Sequence, residues 1–192
     1  MRLLVCVLVL VFSMFPCWGE TIIVDQNGSA DFTNIQDAID YSWDGDTVLV
    51  RPGTYTEAIK FNGRRITLTS LNPDDDIIVN STIITCQTQY GRAVSFDFGE
   101  DSDSVITGFT INITPSGADA IYCYLAAPTI LKNRISFEGT YTNMNAGIYN
   151  CEGIISNNVI SGFDTGIESY SRIESHSIES YKCVISNNTI AN

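Results

Sequence analysis

Four segments in the second half of the chain superimpose without gaps, and this repeat limits the possible folds more than any other feature. Each copy begins with β-branched residues and ends with isoleucine, and successive copies are 24, 25 and 30 residues apart. The copies are residues 105–111, 129–135, 154–160 and 184–190. One unit with two or three short strands cannot bury its apolar side alone, but stacked units bury a continuous core. The repeat therefore predicts an all-β solenoid.

Asparagine fills two neighbouring columns of this repeat. The first column holds Asn133, Asn158 and Asn188, and the position before it is also asparagine in the last two copies, at Asn157 and Asn187. Asparagine tolerates left-handed backbone conformations and hydrogen-bonds its own chain at turns. Stacked at the strand spacing of about 4.8 Å, the amides can also pair between coils. We therefore predict an asparagine ladder.

N-glycosylation is a second interpretation of some asparagines. Four of them begin an Asn-x-Ser/Thr acceptor pattern: Asn27, Asn80, Asn112 and Asn187. Modification depends on a host that the sequence does not identify, and Asn187 already has a structural explanation in the ladder.

A second repeated marker predicts an outward-facing row. Because side chains alternate along a strand, inward Ile121, Ile148 and Ile167 would leave their C-terminal neighbours facing outward. These neighbours form one column, and two further tyrosines lie in the next: Tyr122, Tyr149 and Glu168, then Tyr124 and Tyr170. Aromatic rings beside a carboxylate suit carbohydrate, so these five are the candidate substrate-binding residues. The alternative is that the tyrosines only stabilise the sheet.

Two aspartates precede strands of this marker and could bind calcium. Asp119 and Asp164 lie at the predicted strand entrances. Two carboxylates from different coils are too few for a calcium site on their own. Calcium is the one cofactor that the sequence suggests, and no catalytic residue can be assigned.

The first half of the chain predicts a strand, a helix and then short strands. After a strand at 21–24, Thr33 to Gln36 has the form of a capping box that opens a helix of about ten residues. The helix has one apolar stripe, made of Phe32, Ile35, Ala38 and Ile39. Strands are predicted at 47–50, 58–61, 66–69, 77–79, 83–86 and 93–98, with no second helix.

Residues 1–19 have the features of a secretory signal: a basic start, an apolar run too short to span a bilayer, and small residues near the cut. An uncleaved membrane anchor is the alternative. Cleavage predicts an extracellular or periplasmic protein with no membrane attachment. The mature chain keeps four cysteines, for which three pairings or buried single thiols remain open: Cys86, Cys123, Cys151 and Cys183.

The charge balance restricts the partners. Without Arg2, the mature chain has 9 basic and 22 acidic residues, a net charge of −13. This charge disfavours nucleic acid as a partner. It also favours neutral glycans, or acidic glycans bridged by calcium, although an acidic surface can simply keep a secreted protein soluble.

The stretch "DFTNIQDAIDYSWDGDTVLVRPGTYTEAI", residues 31–59, resembles the N-terminal cap and first coil of secreted right-handed parallel β-helix proteins of the pectin lyase-like superfamily, in particular pectinesterase-like members. The resemblance implies a right-handed parallel β-helix whose open end is covered by the amphipathic helix. It predicts a signal at 1–19 and one domain at 20–192. Within that domain we expect the cap and first coil at 20–70, irregular coils at 71–103 and repeat coils at 104–192, incomplete at the C-terminus.

The resemblance implies a fold, but the sequence does not match any of the family's sets of catalytic residues. Asp97-Phe98-Gly99 is a fragment of the pectinesterase-like segment, the chain has no Asp-His pair, and Arg172 stands without partners. Asp74, Asp75 and Asp76 are interpreted as a solvated turn, and His176 as a loop residue. We expect a secreted protein that binds or acts on polysaccharide or cell-surface glycan. We also expect the sequence to be a piece of a longer chain. A lyase, hydrolase or esterase activity is left open, as is the oligomeric state. The alternative is a non-catalytic, adhesin-like repeat protein.

Overall fold

The computed structural model is an all-β parallel solenoid of about five coils, and it describes residues 19–87, 91–114, 119–138, 146–169 and 183–191. Every strand pairing runs parallel, and each complete coil contributes one strand to each of three sheets. The predicted parallel β-helix is therefore confirmed. Nearly all of the predicted signal segment lies outside the described residues. The two described helices are too short and too polar to cross a membrane.

Strands are numbered along the chain. The seven-stranded first sheet contains β1 (Thr21–Val24), β2 (Thr47–Val50), β5 (Thr67–Ser70), β8 (Val105–Thr107), β11 (Thr129–Leu131), β14 (Ile154–Ser156) and β17 (Val184–Ser186). The six-stranded second sheet contains β3 (Gly53–Thr56), β6 (Thr82–Cys86), β9 (Thr110–Ile113), β12 (Arg134–Phe137), β15 (Val159–Ser161) and β18 (Thr189–Ala191). The five-stranded third sheet contains β4 (Ile59–Lys60), β7 (Val94–Phe96), β10 (Ile121–Cys123), β13 (Ala146–Tyr149) and β16 (Thr165–Glu168). The helices are α1 (Ile35–Tyr41) and α2 (Asp76–Ser81).

The core is a set of isoleucine columns inside the coils. Ile106, Ile130 and Ile155 are paired in register on the first sheet, and all three are fully buried. Their alignment follows from the gap-free repeat, because a slip of one residue would turn each isoleucine outward. In the third sheet, Ile121 and Ile148 are likewise paired in register and fully buried. The second repeated marker therefore does mark a strand with inward isoleucine.

The asparagine ladder is present and buried. The Asn158 Oδ1 atom accepts from the backbone N–H of Asn133 at 2.9 Å, and Asn188 Oδ1 accepts from Asn158 N–H at 2.9 Å. The Asn158 amide also donates to the Ile130 carbonyl at 3.0 Å. Asn157 and Asn187 precede the ladder with φ of 57° and 53°, the left-handed conformation that asparagine tolerates. The ladder thus satisfies backbone groups that would otherwise be buried without partners.

The cap helix α1 covers the first coil with buried Ile35, Ala38 and Ile39. The predicted capping box is wrong: the N-cap residue is Asn34, and it forms no side-chain cap. The carboxylate of Glu57 does this instead, accepting from the N–H groups of Ile35 and Gln36 at 3.0 Å each. The predicted helix was also too long, since Phe32 lies before α1, in an isolated bridge to Val24.

Two more side chains tie α1 to the first coil. The Gln36 amide accepts from Lys60 N–H at 2.8 Å and donates to the Lys60 carbonyl at 3.1 Å, so it satisfies the free edge of β4. The Arg64 guanidinium donates to the carbonyls of Ser42 and Asp40 at the other end of α1. Because a helix of seven residues is not stable alone, these contacts and the buried face hold it in place. They also protect a strand edge that could otherwise aggregate.

The predicted strand at 77–79 is wrong, since these residues lie in α2. The Asp75 carboxylate accepts from Ile77 N–H at 2.8 Å and starts the helix, and only Val79 within it is buried. A short apolar run does not by its period distinguish a strand from a helical turn. Asp74 and Asp76 are exposed, as predicted, and pair with Lys132 and Arg134 two coils away.

One disulfide is present among the described residues. It joins Cys123 to Cys151 on adjacent coils of the third sheet. Of the pairings that the sequence left open, the structure therefore selects this one, while the thiol of Cys86 is buried and that of Cys183 is half-buried.

Candidate functional site

The outward face of the third sheet carries one straight row of side chains. The strand register aligns Lys60 with Ser95, Ser95 with Tyr122, Tyr122 with Tyr149, and Tyr149 with Glu168. Five positions at about 4.8 Å each span roughly 19 Å along the solenoid axis. The predicted column of Tyr122, Tyr149 and Glu168 is thus brought together, and two earlier coils extend it. We call these five residues the axial row.

The two tyrosines of the axial row stack on each other. Their ring centroids lie 6.0 Å apart and their planes differ by 8°. The guanidinium carbon of Arg92 lies 3.2 Å from the centroid of the Tyr122 ring. Because Arg92 precedes β7 and Tyr149 belongs to the next coil, they cover opposite faces of Tyr122. A sugar can therefore reach the ring edge and hydroxyl of Tyr122, but not its face.

Asp119 lies just before β10, the strand that carries Tyr122 in the middle of the axial row. Burial raises the pKa of Asp119, and the negative charge of Glu168 acts in the same direction. The Ala146 N–H, which donates to Asp119 Oδ1 at 3.0 Å, and the Arg92 charge oppose this rise. Lys60 therefore stands at one end of the axial row and Glu168 at the other, with Arg92 and Asp119 beside its middle coils.

The remaining candidate residues are more dispersed. Tyr124 is exposed beyond the end of β10, and its N–H donates to the Phe96 carbonyl at 2.7 Å. Tyr170 lies outside the described residues. Asp164 is exposed and two coils away from Asp119, which separates their backbones by roughly 9.6 Å. Within the described ranges no three His, Cys, Asp or Glu side chains are grouped to hold a metal. Calcium at Asp119 and Asp164 stays a prediction.

Sequence reasoning missed a cleft beside the start of the axial row. The cleft has a volume of about 250 Å³ and is lined by Lys60, Arg92, Ser95 and Asp97, together with Ala58, Ile59 and Gly91. Its polar residues come from positions up to 37 apart, in coils that do not carry the repeat. Only the extension of the outward column back from Tyr122 to Ser95 and Lys60 would have indicated this cleft from the sequence.

Together, the stacked coils and the axial row define a parallel β-solenoid repeat protein with a polar and aromatic outer face. No protein-family model, curated protein or solved structure matches the chain. Its function has to be inferred from the side chains themselves.

Proposed function

We propose that this protein binds a polysaccharide or cell-surface glycan along the axial row of its third sheet. The observation that carries the proposal is the register itself. It aligns Lys60, Ser95, Tyr122, Tyr149 and Glu168 in a line of roughly 19 Å. A straight row of hydrogen-bonding groups suits a linear polymer better than a compact ligand, which would use a single deep pocket.

The mode of contact differs from ring-face stacking. Since Arg92 and Tyr149 cover the faces of Tyr122, the glycan would hydrogen-bond the phenol hydroxyls and pack on ring edges. Sugar hydroxyls both donate and accept, as phenol hydroxyls do. The same charge pattern that disfavours nucleic acid is compatible with a neutral glycan.

Retention on immobilised glycans tests the proposal. The variant Tyr122→Ala with Tyr149→Ala should be retained less than the native protein, with an unchanged β-type circular dichroism spectrum. Tyr122→Phe with Tyr149→Phe should also lose retention, because it removes only the hydroxyls. Tyr41→Ala, on the cap helix, is the matched control. Equal retention of all four proteins across a broad panel would refute the proposal.

Secretion and kinship with the pectin lyase-like superfamily belong to the same proposal. The Cys123–Cys151 disulfide supports an oxidising compartment, in which such bonds persist. The capped parallel solenoid agrees with the resemblance of residues 31–59, which gives the fold but assigns no reaction.

A structural role is the second candidate, and one observation favours it. Both neighbours of the Tyr122 ring, Arg92 and Tyr149, come from the protein itself. This is expected of side chains that stabilise neighbouring strands without a ligand. In an adhesin-like repeat protein, Tyr122→Ala would lower the free energy of unfolding and leave glycan retention unchanged. The two candidates therefore predict opposite results in the retention assay.

A further inference from the structure

The cleft beside the axial row contains two cationic side chains and a carboxylate that do not pair with one another. Lys60, Arg92 and Asp97 all line it, yet in the described part of the chain no ion pair joins Asp97 to either cation. Opposite charges in one small cleft normally pair when nothing else engages them. These three are therefore arranged around a shared space.

One oxygen of Asp97 lacks a donor. Asp97 Oδ1 is buried and has no hydrogen-bond partner among the described residues. A buried acceptor left without a donor costs roughly 1–3 kcal/mol, and more when it is charged, so a donor from solvent or from a ligand has to fill the position. The cleft thus needs a donor at Asp97 and offers donors at Lys60 and Arg92.

We infer that the cleft formed by Lys60, Arg92, Ser95 and Asp97 is a subsite for one unit of a neutral glycan. One hydroxyl of the sugar donates to the Asp97 carboxylate, and its neighbouring hydroxyls accept from Lys60 and Arg92. This inference rests on the proposed function, because the remaining units of the chain run along the axial row from Ser95 to Tyr149.

The chemistry of the cleft favours a neutral sugar over an acidic one. A uronate carboxylate would pair with Lys60 but would place a second negative charge beside Asp97. The net charge of −13 on the mature chain adds repulsion for a polyanion. Hydroxyl groups satisfy the donors and the acceptor together without this repulsion.

The size of the cleft limits it to one sugar unit. Its volume of about 250 Å³ is below the roughly 300–1,000 Å³ of pockets that enclose drug-sized ligands. A single sugar ring therefore occupies it, while the rest of the polymer stays on the open face of the sheet.

Affinity gel electrophoresis tests the subsite with named polymers. The native chain should be retarded by galactomannan, arabinan or hydroxyethyl cellulose, and less by polygalacturonate or alginate, with or without calcium. Retardation by the neutral polymer should change little between low and high salt, because no ion pair with the ligand is involved. Stronger, salt-sensitive retardation by the acidic polymers would overturn the neutral-sugar inference.

Asp97 lies in the cleft but outside the axial row, so its substitution separates the subsite from the row. Asp97→Ala should weaken retention by the neutral polymer about tenfold, the usual effect of removing a charged hydrogen-bond partner. Lys60 belongs to both the cleft and the axial row; Lys60→Gln should weaken retention as well, and the exposed position of its side chain leaves folding unaffected. Asp103→Ala, in an exposed turn, makes the same change of charge as Asp97→Ala and should have no effect.

The possible results distinguish the two proposals. If Tyr122→Phe with Tyr149→Phe loses retention while Asp97→Ala and Lys60→Gln keep it, the axial row binds glycan and the subsite is refuted. If the native chain is not retarded by any polymer, both the glycan-binding function and the subsite fail.

Discussion

Removing the Glu57 carboxylate should loosen the cap helix without unfolding the solenoid. Glu57 accepts from two N–H groups at the start of α1, and both hydrogen bonds are 3.0 Å long. Loss of a helix N-cap costs about 0.5–2 kcal/mol, and loss of a negative charge at the helix N-terminus adds about 0.3–1 kcal/mol. We therefore expect Glu57→Ala to lower the free energy of opening α1 by about 2 kcal/mol.

Amide hydrogen exchange measures this local opening. A loss of about 2 kcal/mol corresponds to roughly 30-fold faster exchange of the α1 amides and of Ser42, whose N–H donates to Ala38 and Ile39. Glu57→Gln keeps one acceptor oxygen but loses the charge and the second acceptor, so it should accelerate exchange about tenfold, less than Glu57→Ala. Glu138→Ala, on an exposed residue, is the control.

Two results would refute this reasoning. Unchanged exchange of the α1 amides in Glu57→Ala would mean that the buried face alone holds the helix. Equal acceleration at Ile135, in the core of a distant coil, would mean that the helix and the solenoid open together. In the expected case, release of Gln36 from the edge of β4 should also increase aggregation, which light scattering detects.

Two further substitutions probe the ladder and the acid response. Asn158→Ala leaves the Asn133 N–H buried without an acceptor and should lower the free energy of unfolding in urea by about 2 kcal/mol. Asn157→Gly, at a left-handed position, should change it by less than about 1 kcal/mol; similar losses would argue against the ladder. The pKa of Asp25 is lowered to about 2 by hydrogen bonds from Ser29, from the Asn27 backbone and from Arg51, so its stabilisation is present above pH 4 and is lost as the pH falls towards 2. Asp25→Asn should therefore make the urea midpoint less dependent on pH between pH 4 and 2. Parallel curves of the urea midpoint against pH for the native protein and the variant would contradict this.

The repeated half of the fold was predictable because its constraints are periodic. Strand spacing and side-chain alternation are fixed by backbone geometry, so aligning the four copies aligned Ile106 with Ile130 and Asn133 with Asn158. The second repeated marker aligned Tyr122 with Tyr149. No such period exists before residue 104. The register of Tyr122 with Tyr149 was therefore predictable, while the position of Arg92 over the Tyr122 ring was not foreseen.

The missed features depend on contacts between distant residues. Glu57 caps a helix that begins 22 residues earlier. The sequence contains a local capping-box pattern at 33–36, which predicted a different cap for the same helix. Asp75 starts a helix where the apolar run alone suggested a strand. In both cases a carboxylate that satisfies backbone N–H groups decided the structure, and its partner cannot be read from periodicity.

The two halves of the solenoid satisfy their buried backbone groups in different ways. The repeat coils satisfy their backbone through an internal ladder of asparagines, which leaves their outer face regular. In the first coils, Glu57 and Arg64 outside the helix and Gln36 within it hold the cap instead. Irregular coils can therefore place unlike groups such as Lys60 and Asp97 in one cleft, which identical repeats cannot do. A binding site is thus expected where the irregular coils meet the regular row, and this is where the cleft lies.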